Sequence, residues 1–353
     1  KMNNTISKYF FLLVLFFVTY FLYIFPFEIL NKYLLKENTS LKSSIINTII
    51  FYTLIVYYLK SHTTFKPLKL FVYEGLGIGF ISFLVILMSF PINSLGYFKE
   101  TSIGVTSISL ILIITIYAIF KAKSISIKNV TLETSKINKN YNIIFLSDIH
   151  LGTNSSKHLQ KIIKKIETIK CDFILIGGDL IDSSSFNLEN LKVLNLIKKN
   201  IYFVNGNHEY YLKDHEYKIK NLAKYNLKVL KNTTKQIGEI NLIGIDDLET
   251  PINKVSYVND LIKENFFNIV ICHKPDIWDD LKNNIDLMLS GHTHNGQIFP
   301  FNFIVKLKFK YIYGLYKNNL SKLYVSSGSG CWGPRLRLGS SNEIVNIRLK
   351  KIL

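Results

Sequence analysis

One run near the middle of the chain decides its fold: YNIIFLSDIH, residues 141–150. Its apolar part has the length and the β-branched content of a buried strand, and polar residues follow it directly. Further short apolar runs alternate with amphipathic segments downstream, which is typical of a layered α/β or α+β domain. The strands that we predict cover residues 143–146, 173–176, 201–204, 242–245, 269–272 and 287–289.

Polar clusters follow most of these strands at the point where each strand ends. They read SDIH at 147–150, GGD at 177–179, NGNHE at 205–209, HKP at 273–275 and SGHTH at 290–294. Because ligands bind outside the carboxyl ends of strands in open sheets, we expect the clusters to converge. They hold five of the eight histidines, and a mixture of imidazole, carboxylate and amide ligands suits Mn, Fe or Zn. One carboxylate shared by two ions would give the two-metal arrangement that serves phosphoryl transfer.

Three glycines, Gly178, Gly206 and Gly291, stand immediately before a proposed ligand or its neighbour. We predict that the chain turns sharply there, so that alanine at these positions strains the turn.

In order and spacing, these clusters resemble the motifs of the calcineurin-like metallophosphoesterase family, over roughly residues 140–350. The late segments GHTHNGQ at 291–297 and SGSGCWGPRLRLG at 327–339 are similar to its bacterial, membrane-associated YkuE-like branch, which usually has Gly where this chain has Asn295. The matching motifs are Asp148-Ile149-His150, Gly178-Asp179-Leu180-Ile181-Asp182, Gly206-Asn207-His208-Glu209, His273 and Gly291-His292-Thr293-His294.

The resemblance implies a four-layer α/β (α+β) sandwich of two mixed sheets flanked by helices, with two divalent metal ions at one edge. Manganese is the expected metal, with Fe or Zn as alternatives. Asp179 would bridge the ions, and a hydroxide held between them would attack phosphorus. The implied ligands are Asp148, His150, Asp179 and His294 for the first ion, and Asp179, Asn207, His273 and His292 for the second.

The same resemblance gives His208 a catalytic role beside the scissile phosphate, where it would donate a hydrogen bond or protonate the leaving oxygen. Asp182 and Glu209 are expected to orient neighbouring groups. Arginine is rare in this Lys-rich chain, so Arg335 and Arg337 are candidate phosphate clamps. The alternative is that both are surface residues that pair with Glu343.

The first third of the chain contains four apolar stretches, at residues 9–27, 45–59, 70–92 and 103–120. The first and third are long enough to span a bilayer, whereas the second must borrow flanking residues. No cleavage site follows the first stretch, so we expect it to stay attached. We therefore predict a membrane anchor of about four transmembrane helices at 1–120, a juxtamembrane connector with a short strand at 121–140 and a catalytic domain at 141–353.

Lysines near the span ends are more numerous on one side, which predicts that the catalytic domain faces the cytoplasm. That orientation reverses if the second stretch does not span. No Asp, Glu, Lys or Arg lies deep in any stretch, which favours an anchor over a transporter. The segment 299–316 mixes aromatic, aliphatic and Lys residues, and forms either a lipid-facing lip beside the metals or an ordinary exposed hairpin or helix.

The leading hypothesis is a phosphoesterase that acts on phosphoester or pyrophosphate bonds at a membrane surface. Its expected partners are membrane lipids and a phosphorylated, lipid-linked substrate, of which UDP-diacylglucosamine is one case implied by likeness to family members. The alternatives are a nuclease or general phosphodiesterase of the same family, and a non-catalytic membrane scaffold. The net charge of +18 permits nucleic acid, but it is spread thinly and we expect neither nucleic acid nor a protein partner. Three cysteines without CxxC spacing predict buried thiols rather than disulfides.

Overall fold

The computed structural model describes residues 2–61, 65–319 and 321–352, with side chains from residue 8 onward. The chain divides into two compact units. The first comprises Lys1–Phe120 together with Gly333–Leu336, and the second comprises Lys121–Trp332 and Arg337–Leu353.

The first unit is helical. Four of its helical segments, 8–35, 41–61, 66–94 and 100–123, are long and apolar enough to cross a membrane, which confirms the predicted helices by length and composition. The second segment reaches 21 residues because the helix takes in the polar residues that flank its apolar run. The helices are α1 (Met2–Thr19), continued through a π-helical turn (Tyr20–Ile24) into α2 (Phe25–Leu35), then α3 (Leu41–Ser61), α4 (Lys66–Ser94) and α5 (Glu100–Lys123).

The second unit contains two six-stranded mixed sheets. The first sheet has the order β1-β12-β2-β3-β4-β5, in which only the pairing of β12 with β2 is antiparallel. Its strands are β1 (Ile125–Thr134), β2 (Tyr141–Leu146), β3 (Phe173–Gly177), β4 (Ile201–Val204), β5 (Leu227–Val229) and β12 (Asn342–Lys351).

The second sheet has the order β10-β11-β9-β8-β7-β6, with a parallel centre and an antiparallel strand at each edge. Its strands are β6 (Thr233–Ile237), β7 (Ile240–Ile245), β8 (Phe267–Cys272), β9 (Leu287–Ser290), β10 (Gly314–Asn318) and β11 (Ser321–Val325). All six predicted strands are therefore confirmed, within two residues at each end.

Helices cover the outer faces of both sheets, as predicted. Helix α6 packs on the first sheet because Leu159, Ile162, Ile163 and Ile166 recur at helical spacing, and all four are buried. A second apolar layer lies between the sheets, and a third lies between the second sheet and α9 and α10. The helices are α6 (Ser156–Glu167), α7 (Asn207–Tyr211), α8 (His215–Asn221), α9 (Pro251–Leu261), α10 (Trp278–Leu281) and α11 (Phe301–Lys308).

The connector was predicted to contain a short strand, and it contributes strand β1 to the first sheet. Strand β1 pairs in parallel with β12 over ten residues, from Ile125 opposite Asn342 to Thr134 opposite Lys351. Only residues 135–140 are left between β1 and β2. The second unit begins at Lys121, before the predicted residue 141, and so includes the whole of residues 121–140.

Candidate metal centre

The predicted ligands lie where strands of the two sheets end. Asp148 and His150 follow β2, Asp179 follows β3, and Asn207 is the first residue of α7 after β4. From the second sheet, His273 follows β8, while His292 and His294 follow β9. Parallel strands place their carboxyl ends at the same edge of a sheet, so the clusters meet as expected.

The first group of side chains that could hold a metal ion is Asp148, His150 and His294. All three are buried, and the Nε2 atoms of the two imidazoles lie 3.1 Å apart. The Oδ1 atom of Asp148 lies 3.5 Å from His294 Nε2 and 3.9 Å from His150 Nε2. These atoms therefore face one point, as ligands of one ion do.

The second group is Asp179, His273 and His292. His273 Nε2 lies 3.1 Å from Asp179 Oδ2 and 3.3 Å from His292 Nδ1. The same Oδ2 atom lies 3.8 Å from His150 Nε2 of the first group. One carboxylate oxygen is thus within 4 Å of an imidazole nitrogen from each group. Asp179 occupies the position that a bridging ligand requires.

Asn207 supplies a further test of fit. Among the residues that the structure describes, its Oδ1 atom is one of a few buried side-chain polar atoms without a hydrogen-bond partner. Leaving a buried acceptor unpaired costs about 1–3 kcal/mol, so such an atom calls for an explanation. Coordination of a metal ion by this oxygen would explain why it has no hydrogen-bond partner. Carboxylate, imidazole and amide oxygen together suit a pair of first-row divalent ions, and the residues present fit two of them.

The backbone at the site is strained. Asp148, His150, Asp179, His292 and His294 all have a positive φ, between 49° and 71°. This left-handed conformation costs a non-glycine residue about 1–3 kcal/mol. Five candidate ligands in this one conformation indicate that the fold stabilises the site at the expense of local backbone energy, which is a feature of functional sites.

Burial and mutual attraction have opposite effects on the pKa values of Asp179 and His273. Burial favours the uncharged form of both groups, but each charge stabilises the other more strongly. The pKa of Asp179 is therefore lowered, and that of His273 is raised to about 10. Burial, reinforced by His273, lowers the pKa of His292 to about 2. When His273 is protonated, its Nε2 atom carries a proton and cannot bind a metal ion. Metal binding must therefore release this proton.

The model of the calcineurin-like phosphoesterase family matches residues 141–296. The uncharacterized metallophosphoesterase YkoQ of Bacillus subtilis is 32% identical over 226 residues, which cover 58% of this chain and 82% of YkoQ. The chain belongs to the calcineurin-like metallophosphoesterase family.

Two further relatives are longer than the region that they share with this chain. A metallophosphoesterase of Campylobacter jejuni is 38% identical over 242 residues, which cover 65% of this chain and 64% of the relative. A protein of Danio rerio described as a transmembrane protein with a metallophosphoesterase domain is 30% identical over 283 residues, which cover 72% of this chain and 64% of the relative. The chain thus spans a little less than two thirds of these relatives. Membership of the YkuE-like branch stays a prediction.

Glycine is required at two positions by crowding around the candidate ligands. Gly178 has a φ of +91°, and a Cβ atom there would lie 2.6 Å from His273 Nδ1. A Cβ atom on Gly206 would collide with the carboxylate of Asp179. The predicted sharp turn applies to Gly178, whereas Gly206 is needed because two loops approach each other closely.

The residues predicted to orient the ligands lie beside them. Glu209 is buried and accepts hydrogen bonds from three backbone nitrogens, which belong to Asp179, Ile181 and Gly206. Asp182 Oδ2 lies 3.4 Å from His150 Nδ1, and its Oδ1 accepts from the Thr153 nitrogen at 2.8 Å. Asp182 therefore faces the ring edge of His150 that points away from the ligand groups.

The two predicted phosphate clamps occupy different places. Arg335 belongs to the first unit, where its Nε donates to Glu74 Oε1 at 2.6 Å. Arg337 is fully buried in the second unit and donates to the carbonyl oxygens of His294, Ser327 and Gly330 at 2.6–2.9 Å. Neither guanidinium forms an ion pair with Glu343; that carboxylate instead accepts from Tyr313, Tyr324 and Ser326. Phosphate contact by either arginine stays a prediction.

Sequence reasoning missed Asp246 and Tyr210. Asp246 directly follows β7, and its carboxylate accepts from Tyr210 Oη at 2.5–2.6 Å and from Asn205 Nδ2 at 3.2 Å. Asn205 and Tyr210 flank the NHE motif, so this network braces the segment that carries Asn207 and His208. The signal was present, because Asp246 also stands at the carboxyl end of a predicted strand.

Proposed function

We propose that this chain is a membrane-anchored, metal-dependent phosphoesterase that hydrolyses phosphoester or pyrophosphate bonds. The observation that supports this most strongly is the position of Asp179, whose Oδ2 atom lies between the two ligand groups. Paired sites of this kind clamp the attacking and leaving oxygens of a phosphoryl displacement.

The first ion would be held by Asp148, His150, Asp179 and His294, and the second by Asp179, Asn207, His273 and His292. When bound, the two divalent ions supply Lewis acidity that polarises the phosphoryl group and lowers the pKa of water. We propose manganese as the metal, with iron or zinc as alternatives that the same ligand types accept.

We propose that His208 acts on the substrate rather than as a metal ligand, although it also lies near His150 and Asp182 in a group that could hold a metal ion. Its side chain is 14% exposed, and its Nε2 atom lies 4.0 Å from Asp179 Oδ2. Burial, which outweighs the attraction of Asp179, lowers the pKa of His208 to about 4. At pH 7 about one His208 in a thousand would then carry a proton on both nitrogens. A neutral imidazole stabilises phosphoryl oxygen by donating a hydrogen bond, and we favour this role over protonation of the leaving group.

A lipid-linked phosphoester or pyrophosphate is the proposed substrate class. Four helices able to cross a membrane would keep the catalytic unit close to a bilayer, where such substrates are concentrated. UDP-diacylglucosamine is one substrate of this class. The excess of lysine near one set of span ends supports a catalytic unit that faces the cytoplasm.

Hydrolysis of a chromogenic phosphodiester by the purified full-length protein with added Mn²⁺ tests the proposal. We expect activity that a chelator abolishes, that His208→Ala lowers by about 10²–10⁴-fold, and that Asp179→Asn removes. His215→Ala is the matched control, since His215 lies outside both ligand groups, and it should leave activity unchanged. A wild-type protein that binds Mn²⁺ but hydrolyses neither this substrate nor a lipid pyrophosphate would contradict the proposal and favour a non-catalytic scaffold.

A further inference from the structure

Helix α11 exposes apolar side chains on all of its turns. The structure describes all eight of its residues, and none of them is buried. Leu307 is 88% exposed, Phe303 is 57% exposed and Ile304 is 55% exposed. Phe299, just before the helix, is also exposed and packs against Phe303 with ring centroids 5.8 Å apart. These side chains form one apolar surface, defined here by Phe299, Phe303, Ile304 and Leu307.

This surface contrasts with α6, whose apolar residues are all directed into the core. A large apolar side chain loses about 1.5–3 kcal/mol of burial free energy when it stays in water. Contiguous exposed apolar surface on a folded domain marks a site that is covered by a partner or a membrane.

The positive charges near the apolar surface indicate which kind of partner covers it. Lys306 and Lys308 are both exposed and extend beside the apolar surface. The Nζ atom of Lys306 lies 5.9 Å from the ring centroid of Phe303, and that of Lys308 lies 5.5 Å from that of Phe309. Apolar side chains flanked by lysines are the composition of a helix that lies in the interfacial layer of an anionic bilayer.

The surface also borders the metal centre. Phe309 directly follows α11, and its ring centroid lies 5.1 Å from that of His292, a candidate ligand. The helix begins seven residues after His294, the other ligand of the same loop. Whatever covers the apolar surface therefore lies at the rim of the candidate site.

We propose that α11 inserts its apolar surface into the interfacial layer of an anionic phospholipid membrane, with Lys306 and Lys308 at the head groups. Bound in this way, the helix holds the rim of the metal centre at the depth of lipid phosphates. The consequence for substrate choice rests on the proposed function: the centre would act on amphiphilic phosphoesters while their apolar part stays in the bilayer.

A spin label at residue 307 tests the membrane contact without any activity measurement. Full-length Leu307→Cys would be labelled with a nitroxide and reconstituted in phosphatidylcholine–phosphatidylglycerol vesicles. The native cysteines, Cys171, Cys272 and Cys331, are buried, and labelled wild-type protein measures their background. Lys164→Cys, at an exposed position of α6, is the control.

We expect the label at 307 to collide several-fold more with oxygen, which concentrates in lipid, than with a water-soluble nickel chelate, and the label at 164 to show the reverse. Equal access of the chelate at both positions would overturn the membrane contact. Protection of residue 307 from both reagents would also overturn it, because a second copy or another protein would then cover the surface.

Activity then tests the substrate class. The double variant Ile304→Ser/Leu307→Ser should hydrolyse a phospholipid phosphoester in vesicles at least about tenfold more slowly than wild type. Its hydrolysis of the soluble chromogenic phosphodiester should be unchanged. The control Leu248→Ser/Ile252→Ser replaces two other exposed apolar residues and should match wild type on both substrates. Equal rates on the lipid substrate would overturn its delivery by α11. Inactive wild type on both substrates would instead refute the proposed function, while the spin-label result still decides the membrane contact.

Discussion

The carboxylate of Glu209 fixes the backbone of Asp179, because its Oε2 atom accepts a hydrogen bond from the Asp179 nitrogen at 2.9 Å. Its two oxygens also accept from Ile181 N at 3.0 Å and from Gly206 N at 2.8 Å. One buried side chain thus ties the loop after β3 to the loop after β4. Glu209 therefore helps to hold Asp179 and the segment of Asn207 in their relative position, together with the hydrogen bond from His208 N to Asp179 Oδ1 at 2.9 Å.

Glu209→Gln should lower metal affinity by about 10–100-fold, which is the usual cost of losing an outer partner of a ligand. The glutamine amide has one acceptor oxygen where the carboxylate has two. Its NH₂ group would face backbone N–H groups, which need an acceptor and not a donor. Calorimetric titration with Mn²⁺ measures the change, with the exposed Glu216→Gln as the control. An affinity equal to that of the control variant would show that Glu209 does not position Asp179.

Arg337→Lys should destabilise the catalytic unit by about 3 kcal/mol or more. The guanidinium is fully buried and donates to three carbonyl oxygens and to Asn342 Oδ1, and an ammonium group cannot reach this set from one point. Arg348→Lys, at an exposed position of β12, is the matched control. The denaturant midpoint followed by intrinsic fluorescence measures both. A midpoint for Arg337→Lys equal to that of Arg348→Lys would refute this structural role.

His158 should make the catalytic unit sensitive to acid. Burial lowers its pKa, although its Nε2 hydrogen bond to the Ser329 carbonyl at 2.7 Å acts against the shift. In the unfolded chain His158 binds a proton near pH 6.5, whereas in the folded chain it does so only at lower pH. The free energy of unfolding therefore decreases as the pH drops below 6.5, by up to about 1.4 kcal/mol per pH unit.

His158→Gln keeps a donor for Ser329 and removes the titration. Unfolding midpoints at pH 7.5 and 5.5 should therefore fall less in this variant than in wild type. The two proteins differ only at residue 158, so the difference between their responses to pH isolates His158. If the midpoints of both proteins fall equally, His158 is not the source of the acid sensitivity.

Local pattern predicted the strands and the convergence of the clusters, because a short apolar run and the polar residues after it are adjacent in sequence. Strand β12 was not predicted. It pairs with β1 across more than 200 residues, and neither segment encodes its distant partner locally. A short strand was predicted within residues 121–140, but its pairing with β12 could not be predicted from that segment alone.

The backbone conformation and the burial of charged side chains could also not be predicted from the sequence. Nothing in Asp148 or His150 signals a positive φ, which in non-glycine residues is imposed by surrounding structure. Arg337 was interpreted as a candidate phosphate clamp because arginine is rare in this Lys-rich chain. Three of its six polar contacts are with backbone carbonyls, which every residue carries, so no side-chain pattern marks those partners.

Sharing of Asp179 between two metal ions is tested most directly by metal analysis and electron paramagnetic resonance of the Mn²⁺-loaded full-length protein. We predict two Mn²⁺ per chain with a magnetically coupled spectrum in wild type, and loss of both the coupling and at least one ion in Asp179→Asn. One ion per wild-type chain, or two uncoupled ions that Asp179→Asn leaves in place, would contradict the shared ligand and with it the proposed two-metal hydrolysis.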